Sequence, residues 1–401
     1  MAFAVLLAGG ASGTAFASAG EVCRPVASHP AALRPVCGPG QSLSIAAVGD
    51  VLLHSPLQRK GYADGFQAVW GAAIPYFRAA DIAYANLEGP VAPGFTRSFR
   101  AGRDPGRVFD NSVYTSYPMF NYHPAVVDDL IASGIRVVST ANNHVLDRGG
   151  DGAEATLGIL EARGLAFSGS RRRDAARTFV RHVAGKGSRV AWLACTFSTN
   201  GIPDPDRQVL MCYEDRDEML ALIRAEAARP DVAAIIVTPH WGVEYTHRPL
   251  ERQRELARDI IAAGATAVIG THPHVIQPWE YLPGPDGKDR LVIYSTGNFV
   301  SGQVSLAKQT SILAWIELCR VDGGGGDLGV AMSARFELAG AYWLPLLMRR
   351  GPDGPSLSVV GPDEGGSGGA ARALIARLLP DAEMPGRLAC AADSPVAVAL
   401  Q

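Results

Sequence analysis

The chain has 401 residues, of which 47% are apolar and 19% charged, and its formal net charge is −2 at pH 7. That apolar share excludes a disordered chain, and the balanced charge argues against a nucleic-acid partner held by phosphate neutralisation. Past the first 20 positions the sequence has no apolar run of about 18 residues, the length an internal membrane-spanning helix needs.

Residues 1–19 (MAFAVLLAGGASGTAFASA) are apolar and rich in small side chains. They end in Ala17-Ser18-Ala19, an A-x-A-like cleavage pattern. The basic stretch that usually opens an export signal is missing, so a short N-terminal anchor is a second reading and an apolar leader without an export role a third. Export is the expectation, to a periplasmic, extracellular or membrane-anchored location. The six cysteines, Cys23, Cys37, Cys195, Cys212, Cys319 and Cys390, all follow this segment. An even number in an exported chain points to disulfides. None forms a C-x-x-C pair, which argues against a zinc-thiolate knuckle. Pairing Cys23 with Cys37 and Cys195 with Cys212 closes two short loops, one of many connectivities six cysteines allow. In a cytosolic protein the same residues would be ordinary buried thiols.

Residues 20–40, rich in Pro, Gly and Ala, predict a linker, and a long alternation of elements follows. Residues 43–48 (LSIAAV) predict a buried strand that runs into a loop at Gly49-Asp50. Residues 68–80 have helical spacing. Residues 81–87 predict a strand ending at Glu88, and residues 89–122, rich in Gly, Pro, Arg and Tyr, a long loop or insertion. A helix is expected over 124–133, with Pro near its first turn, then a strand over 135–140 and a helix over 151–163. The second half repeats the alternation. Strands are expected at 190–197, 232–238, 265–270 and 291–295, with helices at 214–228 and 250–263 between them. Further strands are expected at 311–321 and 334–344. Residues 361–369 (GPDEGGSGG) predict a flexible link to a helix near 370–379. No repeat of 20–50 residues is present. The expected organisation is a leader or anchor (1–19), a linker (20–40), one α/β domain (41–350) and a C-terminal linker and helix (351–401).

Five of the apolar runs end in a residue able to hold a metal or a proton: Asp50, Glu88, Asn143-His144, His240, and His272 with His274. In open α/β sheets, ligands bind outside the carboxyl ends of strands. Five such ends on one edge would gather two carboxylates, an amide and four imidazoles, a cluster costly to bury unpaired. A divalent metal compensates it, and oxygen and imidazole donors suit Mn, Fe or Zn. Seven donors suffice for one ion or for two sharing a carboxylate. Taken singly, each residue has a bland alternative. Asp50 fits a helix N-cap, Glu88 a solvated turn, Asn142-Asn143 a left-handed turn pair, and His272-Pro273-His274 a stiffened surface turn. Arg148, Arg248 and Arg103 are candidate contacts for an anion or plain surface charges.

The ordered motifs carry a resemblance. They are Gly49-Asp50; Asn86-Leu87-Glu88; Ala141-Asn142-Asn143-His144 with Asp147 and Gly149; His240-Trp241-Gly242-Val243-Glu244-Tyr245; Gly270-Thr271-His272-Pro273-His274; and Tyr294-Ser295-Thr296-Gly297-Asn298-Phe299. Together they resemble bacterial capsule-synthesis (poly-γ-glutamate) proteins of the CapA type, a family similar to the calcineurin-like metallophosphatases. The resemblance covers about residues 43–300. It implies a four-layer αββα sandwich of the metallo-dependent phosphatase type with a centre of one or two divalent ions. It assigns Asp50, Glu88 (as the bridging carboxylate), Asn143, His240, His272 and His274 to the metal. It assigns His144 to protonating a leaving group or stabilising the transition state, with Asp147 orienting it. Asn298 would hydrogen-bond substrate or a water beside the metal ligands, and Arg148, on its charge rather than on the resemblance, is the arginine expected to contact substrate. One position departs from the phosphatase pattern. Two residues after the first Asp it has a His, where this chain has Leu52, and the nearest imidazole is His54. His54 points the way Asp50 does only if the strand continues.

The implied function is a metal-dependent hydrolase or transferase acting on a phosphoester or an amide-linked acidic polymer in capsule or poly-γ-glutamate synthesis. Its partners would be an acidic polymer or a phosphorylated small molecule, with capsule-synthase membrane components beside it. The alternative is a non-catalytic exported component that holds an anionic chain.

Overall fold

Strands buried on both faces need continuous apolar sequence, and the chain supplies it repeatedly. The computed structural model describes residues 24–28, 37, 41–321, 335–380, 382–384 and 386–389. The expected leader, most of the linker, Cys23 and Cys390 lie outside the described residues. In chain order the strands are β1 (Arg24–Ser28), β2 (Ser42–Leu52), β3 (Ile82–Leu87), β4 (Val137–Ser139), β5 (Ala166–Ser168), β6 (Arg181–Gly185), β7 (Ser188–Thr196) and β8 (Val232–His240). They continue with β9 (Ala267–Ile269), β10 (Ile276–Pro283), β11 (Asp289–Thr296), β12 (Val300–Ser301), β13 (Thr310–Val321), β14 (Arg335–Gly351), β15 (Gly354–Val359) and β16 (Gly386–Ala389).

One sheet has the order β15-β14-β13-β2-β3-β4-β5, with β12 beside the end of β2; the other has the order β10-β11-β9-β8-β7-β6. Strands β2, β3, β4 and β5 run parallel, as do β7, β8 and β9. Helices Ala125–Ser133 and Gly149–Arg163 return the chain in the first set, and Arg216–Ala227 and Glu251–Ala262 in the second. Such crossovers bring the carboxyl ends of successive strands to one edge.

Side chains alternate between the two faces of each strand. Ile45 and Ala47 of β2 and Tyr84 of β3 face Trp192, Ile236, Ile269 and Ile293 of the other sheet. The Tyr84 and Trp192 rings stack across that layer, 5.0 Å between centroids. Ala46 and Val48 face the opposite way and pack with Phe66, Trp70, Phe77, Val126 and Leu160. Leu193, Val237 and Val268 meet Met219, Ile223, Leu256 and Ile260 on the far side of the second sheet. The result is the four-layer αββα sandwich expected from the sequence.

Several elements differ from expectation. Strand β2 runs on to Leu52, so Asp50 sits inside a strand, beside a register shift against β3. The helix expected over 68–80 is split into Gln67–Trp70, a 3-10 turn at Gly71–Ala73, and Ile74–Ala79. Pro75 supplies no N–H to bond back to the preceding turn. Helix Ser55–Asp64 was not expected. The C-terminal helix starts at Gly366, so the end of the glycine-rich stretch forms its first turn. The first sheet continues past residue 350 through β15, and β1, within the expected linker, pairs with β16. Cys195 pairs with Cys212 as expected. Cys37 pairs with Cys319 rather than Cys23, because β2 and β13 are neighbours in one sheet.

Candidate metal centre

The parallel strand ends deliver the candidate residues to one place. Asp50 comes from β2, Glu88 follows β3, Asn143 and His144 follow β4, His240 ends β8, and His272 and His274 follow β9. All are buried. Two glycines let the backbones close in. A Cβ on Gly49 would lie 1.8 Å from the carbonyl oxygen of Gly297, and one on Gly270 would lie 2.2 Å from that of Tyr294. His272 and His274 both adopt left-handed backbone, with φ of 95° and 58°. Non-glycine residues hold such angles only where their surroundings impose them, at of order 1–3 kcal/mol each. The His-Pro-His turn is thus strained so that both imidazoles face inward.

Hydrogen bonds fix the set. Asn86 Nδ2 donates to Asp50 Oδ1 at 2.8 Å and lies 3.2 Å from His240 Nδ1. His240 Nδ1 is also 2.9 Å from Thr271 Oγ1, and its Nε2 is 2.9 Å from Asn143 Oδ1. His272 Nδ1 lies 3.2 Å from His240 Nε2. His274 Nδ1 lies 3.0 Å from Asp50 Oδ2. Asn142 Nδ2 donates to Asn86 Oδ1 and to the carbonyl of Leu87, tying β3 to the segment after β4.

Glu88 is the exception. It has 0% exposure, yet neither carboxylate oxygen has a hydrogen-bond partner. His240 Nε2 lies 3.5 Å and His274 Nε2 3.8 Å from its Oε1. Burial, with the Asp50 carboxylate beside it, pushes the Glu88 carboxyl up to about 8. Burial lowers His240 to about 3 and drives His272 well below its ordinary value, so both rings are neutral. Burial opposes charge on Asp50 as well, but the hydrogen bond and charge of His274 hold its carboxyl below the usual range. A buried carboxylate without donors costs several kcal/mol, and a divalent cation removes that cost. Donor atoms of Asp50, Glu88 and His274 all lie within 4.8 Å of one another, as do those of Glu88, His240 and His272. Glu88 belongs to both groups. The residues present therefore fit one divalent ion or two sharing Glu88.

His144 and Asp147 form a separate pair at the rim. His144 Nδ1 lies 2.8 Å from Asp147 Oδ2, which also accepts the N–H of Phe120 at 2.6 Å. The Phe120 ring meets the His144 ring edge-on, 4.8 Å between centroids. Asn298 Nδ2 donates to the carbonyl oxygens of His274 and Lys308 and to Gln303. It is placed to hold the His274 backbone, and its own Oδ1 is buried without a partner.

Arg148 lies elsewhere. Its guanidinium is buried and donates to the carbonyls of Phe95, Asp147 and Val113 and to Thr115 Oγ1. It pins the 89–122 segment, and the anion contact expected of it gives way to that role. His54 is likewise committed to other partners. Strand β2 ends at Leu52, and His54 caps helix Ser55–Asp64. Its Nδ1 faces the Leu52 carbonyl and the Gly302 N–H, and burial lowers it to about 4. Leu52 packs in the apolar core. Three further residues belong to the site. Asn86 lies on β3 two positions before Glu88, a spacing that strand periodicity makes readable. Asn142 and Thr271 orient their neighbours through hydrogen bonds, which the sequence does not display.

Parallel strand ends from two facing sheets, converging on carboxylates, an amide and imidazoles, define an α/β sandwich protein with a candidate metal centre. Residues 44–303 match the family model described as bacterial capsule synthesis protein PGA_cap, and the chain belongs to that family. The chain is 27% identical over 263 residues to the PGA biosynthesis protein CapA of Bacillus subtilis (strain 168), covering 65% of this chain and 64% of that protein. It is 25% identical over 268 residues to the capsule biosynthesis protein CapA of Bacillus anthracis, covering 66% and 61%. The matched region thus spans under two thirds of either relative. Among solved structures, the NAD nucleotidase (NadN) of Haemophilus influenzae aligns over 85% of this chain and 57% of its own, with 12% identity and a TM-score of 0.43. Sulfate thiohydrolase SoxB aligns over 84% and 60%, with 13% identity and a TM-score of 0.37. No helix among the described residues is long and apolar enough to cross a membrane.

Proposed function

We propose that this protein is a divalent-metal-dependent hydrolase or transferase of capsule or poly-γ-glutamate synthesis, acting on a phosphoester or an amide-linked acidic polymer. The observation that carries the reading is Glu88, whose two carboxylate oxygens are buried without partners among Asp50, His240, His272 and His274. Asp50, Glu88, Asn143, His240, His272 and His274 would hold the metal, and their oxygen and imidazole donors suit Mn, Fe or Zn. A metal bound there supplies a hydroxide nucleophile at neutral pH and stabilises negative charge on the group attacked.

The chain's own residues do the rest. Asp147 fixes Nδ1 of His144, which leaves Nε2 free to give a proton to a leaving oxygen or nitrogen. The Phe120 N–H bonds the same Asp147 oxygen and holds that carboxylate in register. Lys308 Nζ sits 4.2 Å from the centroid of the Tyr245 ring, itself 6.1 Å from the His274 ring, and places a cation beside the site for an anionic substrate. The names of the Bacillus relatives supply the biosynthetic context. Two disulfides fit an oxidising, exported location. An acidic polymer and the membrane components of a capsule synthase are the partners this reading implies.

The test uses Mn²⁺-loaded protein, wild type and His144→Ala, with poly-γ-glutamate and with a chromogenic phosphodiester. Wild type should cleave one of them, and His144→Ala should lose about 100-fold or more in rate with unchanged metal content. Equal rates in the two proteins would overturn the reading. Metal-loaded wild type that binds poly-γ-glutamate and cleaves neither substrate would overturn it in favour of a holding role.

A further inference from the structure

The geometry points to Glu244 as a ligand of the metal held by Asp50, Glu88 and His274, completing a set that otherwise has three protein donors. The inference rests on the metal-centre reading above and assigns a residue that reading leaves unused. Glu244 Oε1 lies 4.0 Å from His274 Nε2. Donor atoms of Glu244, His272 and His274 fall within 4.8 Å of one another. Glu244 and Glu88 thus both approach His274 Nε2.

The backbone holds Glu244 at this place. Trp241 N–H donates to the carbonyl of Thr271 at 3.1 Å, and Tyr245 N–H to that of Pro273 at 2.8 Å. Two rungs therefore fasten residues 241–245 to the turn that carries His272 and His274. Gly242 and Tyr245 adopt left-handed φ angles of 96° and 66°. Tyr245 holds that angle at a cost, and the loop bends back toward the imidazoles.

His54 is engaged by the Gly302 N–H, and Leu52 is in the core. Glu244 supplies the centre with a further anionic oxygen. The two ion positions would then be unlike. One would be held by Asp50, Glu88, His274 and Glu244, the other by Glu88, Asn143, His240 and His272. Glu244 has a side chain 39% exposed, so its position is the one nearer solvent. Loss of one charged oxygen ligand weakens a hard-cation site sharply.

The test is titration of chelator-stripped protein with Mn²⁺, followed by equilibrium dialysis and by the paramagnetic signal of free ion. Wild type should take up two ions per chain. Glu244→Gln should keep one ion at wild-type affinity and bind the other at least about tenfold more weakly. Its metal-free melting temperature should equal that of wild type. Glu244→Asp should recover part of the loss. Wild-type binding of both ions by Glu244→Gln would overturn the role of Glu244 and leave the metal centre standing. No uptake by wild type would overturn the metal centre itself and this inference with it.

Discussion

His274 Nδ1 lies 3.0 Å from Asp50 Oδ2 across a sequence separation of 224 residues. The contact joins β2 of one sheet to the turn after β9 of the other. Glu88 Oε1 lies 3.8 Å from the other nitrogen of the His274 ring.

That contact has a proton count attached. Burial opposes charge on His274, but the carboxylates of Glu88 and Asp50 outweigh it and raise the imidazole to about 9. Glu88 is raised to about 8 by burial and by Asp50. The two groups titrate together, so in metal-free protein at pH 7 the pair retains a proton that a bound metal must displace. Metal ligands must be deprotonated. Metal affinity should therefore rise as pH goes from 6 to 9, and binding at pH 7 should release protons. Calorimetry in two buffers of different ionisation heat measures the release. A binding heat independent of buffer would contradict it.

Glu88→Gln separates cost from use. The folded carboxyl holds its proton more tightly than the unfolded one. Wild-type stability from this group is therefore present at acid pH and lost as pH rises toward about 8. The variant has no such charge to bury. Metal-free Glu88→Gln should melt at or above the wild-type temperature at pH 9, and the rise in melting temperature on adding Mn²⁺ should vanish. A variant that melts lower at pH 9 and still gains stability from Mn²⁺ would show that Glu88 is neither strained nor a ligand.

Arg148→Met tests the buried guanidinium as a structural post. The change removes a charged donor from the carbonyls of Phe95, Val113 and Asp147 and from the hydroxyl of Thr115. Loss of bonds to a buried charge should cost about 3 kcal/mol. Urea denaturation should shift to lower concentration, and limited proteolysis should cut first within residues 93–121. An unchanged midpoint with unchanged proteolysis would return Arg148 to the surface.

Much of the site was legible in the sequence because polar residues that interrupt strand ends announce themselves. Asp50, Glu88, His240, His272 and His274 each follow or close an apolar run, and parallel connections bring those ends together. Asn86 was legible in principle, on β3 two positions before Glu88. Glu244 stood within a motif but without a role, because it approaches His274 only through a loop bent by Gly242 and Tyr245. Arg148 misled for a general reason. A charge beside a catalytic motif looks free until the carbonyls that enclose it, here from Phe95 and Val113, are in place. The pairing of Cys37 with Cys319 was hidden because it depends on β13 lying beside β2, a neighbour relation between segments far apart in the chain. The halves of the split helix after residue 66 read as one because a proline is tolerated near a helix start, and position 75 is such a start only once the break is known.

The most direct test is anomalous diffraction from crystals of the full chain soaked in Mn²⁺. The density should show ions bounded by Asp50, Glu88 and His274 and by Glu88, Asn143, His240 and His272, with Glu88 touching both. A soaked crystal with Mn²⁺ elsewhere on the chain, and the Glu88 carboxylate still without a partner, would contradict the claim that the two sheets meet around a metal.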